Sequence, residues 1–117
     1  MKTTIDKLWK HAAGLDVTID GVRYLYCGRD RYERMVMLYN YETDAIMYQD
    51  DFDYNAPAIV GDTINYDTLI TVKAKEILKL LDDGWEKGDD DKFNLNPYFS
   101  ELKVIIELKQ LVDNGKN

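Results

Sequence analysis

The dipeptide Asp20-Gly21 constrains this 117-residue chain more than any other feature. A two-residue hairpin turn of the favoured twist needs positive φ at both central positions, and Asp-Gly is one of the few pairs that supplies it. With the tip there, the register follows: Ile19 faces Val22, Val17 faces Tyr24, and Leu15 faces Tyr26. All six are apolar or aromatic and share one face. Turn chemistry and burial pattern therefore predict the same hairpin over residues 15–27.

Other elements are read outward from this hairpin. Ile5, Leu8, Trp9, Ala12 and Ala13 fall at i, i+3, i+4, i+7 and i+8, which predicts a helix over residues 4–13. Thr3 or Thr4 would cap it and Gly14 would stop it. Beyond a turn at residues 28–30, Met35, Met37, Tyr39 and Tyr41 alternate with Val36, Leu38 and Asn40, a strand pattern. Glu42-Thr43-Asp44 then turns the chain into another strand near residues 45–49. Residues 50–67 lack periodicity and carry Pro57 and Gly61, so they read as a long loop in which Ala58-Ile59-Val60 could add a short strand. Asp67 or Thr68 caps a helix that runs to about Asp83 along Leu69, Val72, Lys73, Glu76, Ile77, Leu80 and Leu81. After a polar linker over residues 86–94, Asn96-Pro97 opens a last helix reaching about Val112. The expected fold class is α+β: an N-terminal helix, an antiparallel β-meander of three to four strands and two C-terminal helices, in a single domain over residues 1–117.

Several chemistries find no support. Cys27 is the only cysteine, which excludes an intrachain disulfide and a multi-thiolate metal centre. His11 is the only histidine, and Ser100, the only serine, falls inside the last predicted helix, so no Ser-His-Asp arrangement is indicated. Cys27 with His11 would be a conceivable nucleophile–base pair, but a cysteine at a strand end is more commonly a small buried hydrophobe. There is no glycine-rich phosphate loop. Asp51-x-Asp53-x-Asn55 with Asp62 partly matches a calcium loop, yet Ala56 replaces the glycine of its sharp turn and no clear helix precedes it. The expectation is a non-enzymatic protein without metal or cofactor. The N-terminal MKTTIDKLWK has no apolar core of a signal peptide, and no apolar run approaches a membrane span. Cytoplasmic residence without membrane association is expected.

The net charge of −7 is unevenly distributed. Residues 1–34 are slightly basic, whereas residues 35–72 hold Glu42, Asp44, Asp50, Asp51, Asp53, Asp62 and Asp67 and no Lys or Arg. The same segment carries Tyr39, Tyr41, Tyr48, Phe52, Tyr54 and Tyr66. Carboxylates supply steering and charge-assisted hydrogen bonds to arginine, and tyrosines supply anchors of the kind that dominate interface energetics. An alternative is that the tyrosines fill the sheet core while the aspartates populate turns. A second acidic run, Asp82, Asp83, Glu86, Asp89, Asp90 and Asp91, surrounds Trp85. Direct binding to a nucleic acid is disfavoured by this balance. The candidate partner-binding residues are Glu42, Asp44, Asp50, Asp51, Asp53, Tyr54, Asp62, Asp89, Asp90 and Asp91.

The stretch Glu76-Ile77-Leu78-Lys79-Leu80-Leu81-Asp82-Asp83-Gly84-Trp85, followed by Asp89-Asp90-Asp91 and a final helix, resembles the small acidic anti-CRISPR inhibitors of phages. These occupy the DNA-recognition cleft of an RNA-guided nuclease. The resemblance covers element order and about twenty residues around Gly84-Trp85, while the loop at residues 50–66 is additional. It implies an inhibitor that binds a basic nucleic-acid-handling protein, with carboxylates standing where phosphates would sit. An immunity protein against a nuclease toxin obeys the same physics. A protein sequestering a small molecule or nucleotide is the contrasting expectation, and requires the tyrosines to converge on one closed cavity.

Overall fold

The computed structural model describes residues 1–31, 33–85 and 94–115. Its strands are β1 (Lys2–Thr4), β2 (Leu15–Ile19), β3 (Val22–Arg29), β4 (Val36–Asn40), β5 (Ala45–Tyr48) and β6 (Pro57–Ile64). Two helices follow, α1 (Tyr66–Asp82) and α2 (Asn96–Gly115). The chain divides into a sheet unit, residues 1–69, and a helical unit, residues 70–117.

All six strands form one antiparallel sheet in the order β1-β6-β2-β3-β4-β5. The expected meander of three to four strands is thus corrected to six. Residues 57–64 were expected to lie mostly in a loop because Pro57, Gly61 and Asp62 break their pattern. Proline is nevertheless tolerated at the first position of a strand. Ala58 and Val60 are buried while Ile59 and Gly61 between them are exposed, a period of two that the polar residues mask.

The expected N-terminal helix is corrected too. Residues 2–4 form an edge strand, with Thr4 opposite Pro57, and Ile5–Lys10 make only a 3-10 turn. Ile5 and Leu8 are fully buried, whereas Trp9 is 50% exposed and Ala12 is exposed. Two anchors three apart match the three-residue period of a 3-10 turn. The positions at i+4 and i+7 that favoured an α-helix bury nothing.

The hairpin pairs Val17 with Tyr24 and Ile19 with Val22, around a tip with positive φ at both Asp20 and Gly21. One sheet face carries Val17, Ile19, Tyr24, Tyr26, Val36, Leu38, Ala58 and Val60, on which the 3-10 turn packs Ile5 and Leu8. Phe52, on the segment linking β5 to β6, meets Tyr24 edge-to-face at 5.4 Å. Leu25, Cys27 and Met37, on the opposite face, are buried as well. Gly14 is obligatory, since φ is +101° and a Cβ would sit 2.6 Å from Ile64 Cγ2.

In the helical unit, Ile77, Leu95 and Tyr98 are buried together with Leu80, Trp85 and Leu102 against them. Gly84 ends α1 with φ +92°. Its N–H donates to Leu81 O and the Trp85 N–H to Leu80 O, both at 3.0 Å, the paired bonds of a glycine C-cap. Lys73, only 4% exposed, donates to Glu101 Oε1 at 3.0 Å. Among the described residues no helix is long and apolar enough to cross a membrane.

Candidate acidic surface

Antiparallel pairing sorts the loops of the sheet unit to two ends. The β2–β3 tip, the β4–β5 turn and the start of β6 share one end, because Ile19 pairs with Val22, Asn40 with Ala45 and Thr18 with Ile59. That turn end therefore gathers Asp20, Glu42 and Asp44, with Asp53 and Tyr54 just before β6. Asp6 joins them, its N–H donating to Tyr54 O at 3.4 Å. Asp20, Glu42, Asp44, Asp53 and Tyr54 are all exposed, Tyr54 by 49%. The short segments 20–21, 41–44 and 53–56 contain no Lys or Arg.

Several of these carboxylates also have a local task. Asp44 sits at φ +58° in its turn and accepts the Tyr39 hydroxyl at 2.6 Å. Asp53 accepts the Asn55 N–H at 3.1 Å, and Asp51 accepts the Tyr48 N–H at 2.9 Å. Tyr54 donates its hydroxyl to Asp50. The side chains expected to face a partner are held in place by turn geometry and tyrosines of the same chain. The carboxylates of Asp44, Asp51 and Asp53 build turns, and all three residues are exposed.

The structure unites some of the expected residues and separates others. Glu42 and Asp44 share the turn end, whereas the Tyr54 side chain reaches Asp50 on the segment that follows β5. Asp50 and Asp51 follow β5 at the opposite end, near the β3–β4 loop where Arg29, Arg31 and Arg34 lie. Asp62 lies on β6, where it accepts the Thr63 hydroxyl at 3.3 Å. Asp89, Asp90 and Asp91 lie outside the described residues. Asp6 and Asp20 were missed. Their signal was available only through the six-stranded order, which brings the hairpin tip beside the segment before β6.

The tyrosines occupy separate places. Tyr39 and Tyr41 meet edge-to-face at 5.6 Å. Tyr48 lines an open depression of about 370 Å³ with Asp30, Glu33 and Met35. Tyr54 is exposed on the segment between β5 and β6, hydrogen-bonded to Asp50. Tyr41 belongs to a polar network: its hydroxyl donates to Asp16, and it accepts from Asn65 Nδ2 at 3.1 Å. Arg23 lies 4.3 Å over its ring and pairs with Asp16 at 2.6 Å. Burial first, and then the bond to Asp16, push the Tyr41 phenol up to about 12. Asn65 in turn accepts the Thr68 N–H at 3.1 Å, capping the first turn of α1.

Among the described residues no group of three or more His, Cys, Asp or Glu side chains is placed to hold a metal ion. Cys27 is fully buried, its thiol donating to Leu25 O at 3.3 Å. Comparison with protein families, with curated proteins and with solved structures found no match.

Proposed function

We propose that the protein is a non-enzymatic inhibitor that binds a basic nucleic-acid-handling protein and occupies its nucleic-acid site by charge mimicry. The observation that carries this reading is the turn end of the sheet. Asp20, Glu42 and Asp44 share that end in exposed turns without Lys or Arg, exposed Asp53 and Tyr54 come shortly before β6, and Asp6 bonds to the Tyr54 carbonyl from a 3-10 turn that also carries Lys7 and Lys10. Carboxylates positioned by their own turns lose little entropy when they meet an arginine-rich surface, and pre-organisation of this kind favours affinity. Tyr39 and Tyr41 touch, but the depression that Tyr48 lines includes none of Tyr39, Tyr41 and Tyr54 among its described lining, which speaks against one tyrosine-lined cavity and favours a macromolecular partner over a small ligand. Blocking an RNA-guided nuclease, as the anti-CRISPR resemblance suggests, is the specific form of this function we put to test.

The test pairs the wild-type chain with a variant carrying Asp20→Asn, Glu42→Gln, Asp44→Asn and Asp53→Asn. These changes remove four charges while keeping the acceptor oxygens, and Asn tolerates the positive φ at residues 20 and 44. Both proteins are assayed for inhibition of type II RNA-guided nucleases and of basic nuclease toxins across a salt series. Inhibition by the wild type should weaken steeply as the Debye length shrinks from about 10 Å at 0.1 M to about 3 Å at 1 M. The variant should inhibit at least about tenfold less, with unchanged melting. Inhibition indifferent to salt and to all four substitutions would overturn the reading.

A further inference from the structure

The edges of the sheet are β1, three residues long, and β5. No strand lies beyond β5 among the described residues. Edge strands usually carry a guard against further pairing, such as a lysine, a proline or a bulge. β5 reads Ala45-Ile46-Met47-Tyr48 and has none of these, and its register against β4 runs unbroken from Met37↔Tyr48 to Asn40↔Ala45. In an antiparallel ladder alternate residues turn their backbone groups to opposite sides. The Tyr48 N–H goes to the Asp51 carboxylate rather than to β4, which places Tyr48 and, two residues earlier, Ile46 on the outward side.

Charge surrounds this uncharged edge. Exposed Glu42 and Asp44 precede it at the turn end, and exposed Asp50 and Asp51 follow it. Beside its far end opens the depression lined by Asp30, Glu33, Met35 and Tyr48, about 370 Å³ in volume and large enough for one long side chain. Arg31 and Arg34 share that loop, so the far end is mixed in charge while the turn end is acidic.

We propose that the outer edge of β5 receives an extended basic segment of the partner protein as a seventh strand. Main-chain bonds to Ile46 supply pairing. Lys or Arg side chains lie over Glu42 and Asp44, and one further cationic side chain enters the depression between Asp30 and Glu33. This inference rests on the proposed binding of a basic protein and specifies how that protein is held.

The probe is the octapeptide (Lys-Val)₄, compared with its analogue N-methylated at every residue and with tetralysine, which has equal side-chain charge. Amide hydrogen exchange at Ile46 and calorimetric affinity are read on wild-type protein and on the fourfold charge-neutral variant. The octapeptide should slow exchange at Ile46 by about tenfold or more, and methylation should weaken binding about tenfold through loss of the pairing hydrogen bonds. Ile46→Pro, which removes the outward N–H, should weaken octapeptide binding to about the level of the methylated analogue. Unprotected Ile46, or equal affinity for the methylated analogue with charge dependence intact, overturns the added strand and leaves the acidic reading standing. Equal binding of all three peptides to the wild type and the charge-neutral variant overturns the acidic reading itself.

Discussion

The sheet unit and the helical unit handle apolar and polar groups in opposite ways. In the sheet unit both faces are buried by apolar and aromatic side chains, and the hydrogen-bonded polar groups lie at turns and around Tyr41. In the helical unit a cation, Lys73, is buried, while Val104, Leu108 and Leu111 on α2 stand 54%, 44% and 67% exposed. The pleat gives each strand two faces whose residues alternate, and a six-stranded sheet finds partners for most of them. A helix pair of this length satisfies only one stripe of each helix. Specification differs as well: turn chemistry sets the β2–β3 hairpin, whereas the helices meet through the cluster around Ile77, Leu95 and Tyr98 and the Lys73–Glu101 pair.

The largest expected contrast is in core truncation. Leu38 is fully buried in the sheet unit, and Leu38→Ala should cost about 3–4 kcal/mol by lost transfer and cavity formation. Leu111→Ala should change stability by less than about 0.5 kcal/mol. Urea denaturation of both variants measures this directly. A cost at Leu111 rivalling that at Leu38 would break the comparison, because the α2 stripe would then have to be covered in solution.

Next comes the buried ion pair. Glu101→Ala leaves the Lys73 ammonium buried without its carboxylate, and should cost about 3 kcal/mol. The double variant Lys73→Met with Glu101→Ala should recover most of that loss, since an apolar side chain of similar length replaces the charge. Thermal melts of the three proteins decide it. If the double variant is as unstable as the single, the lost stability came from Glu101 packing and not from an orphaned charge.

These effects bear on how much could be read in advance. The hairpin was legible because Asp20-Gly21 and the flanking alternation are local and agree. Both C-terminal helices were legible, α1 by its stripe and α2 by its Asn96-Pro97 start, although α1 is capped by Asn65 rather than by Asp67 or Thr68. The misreadings share one cause, which is pairing between distant segments. Thr4 against Pro57 and Val17 against Val60 are contacts with no sequence signal of their own, and they decide that residues 2–4 and 57–64 are strands. The site followed the fold. Glu42, Asp44 and Asp53 were visible as an acidic run, but Asp6 and Asp20 join them only through the six-stranded order. Asp62 lies on β6, apart from the turn end.

The smallest effect lies in the Tyr41 network, and it is expressed only in alkali. Burial and the bond to Asp16 raise the folded-state phenol from 10 to about 12. A group with a raised pKa in the folded state binds its proton more tightly there, so its contribution is fully present below pH 10. That contribution should be lost as the pH climbs from about 10 to about 12, where the unfolded chain has already released the proton. Tyr41→Phe removes the titrating group, so its stability should fall less over this window than that of the wild type. The variant also leaves Asp16 with Arg23 alone and Asn65 without its acceptor, so some loss at neutral pH is expected. Unfolding free energies at neutral pH and through the alkaline window, with phenolate absorbance followed in the same samples, separate the two contributions. Parallel alkaline slopes in the two proteins would show that Tyr41 ionises as an ordinary surface tyrosine, and the network would then be an accessory to the sheet rather than a part of its stability.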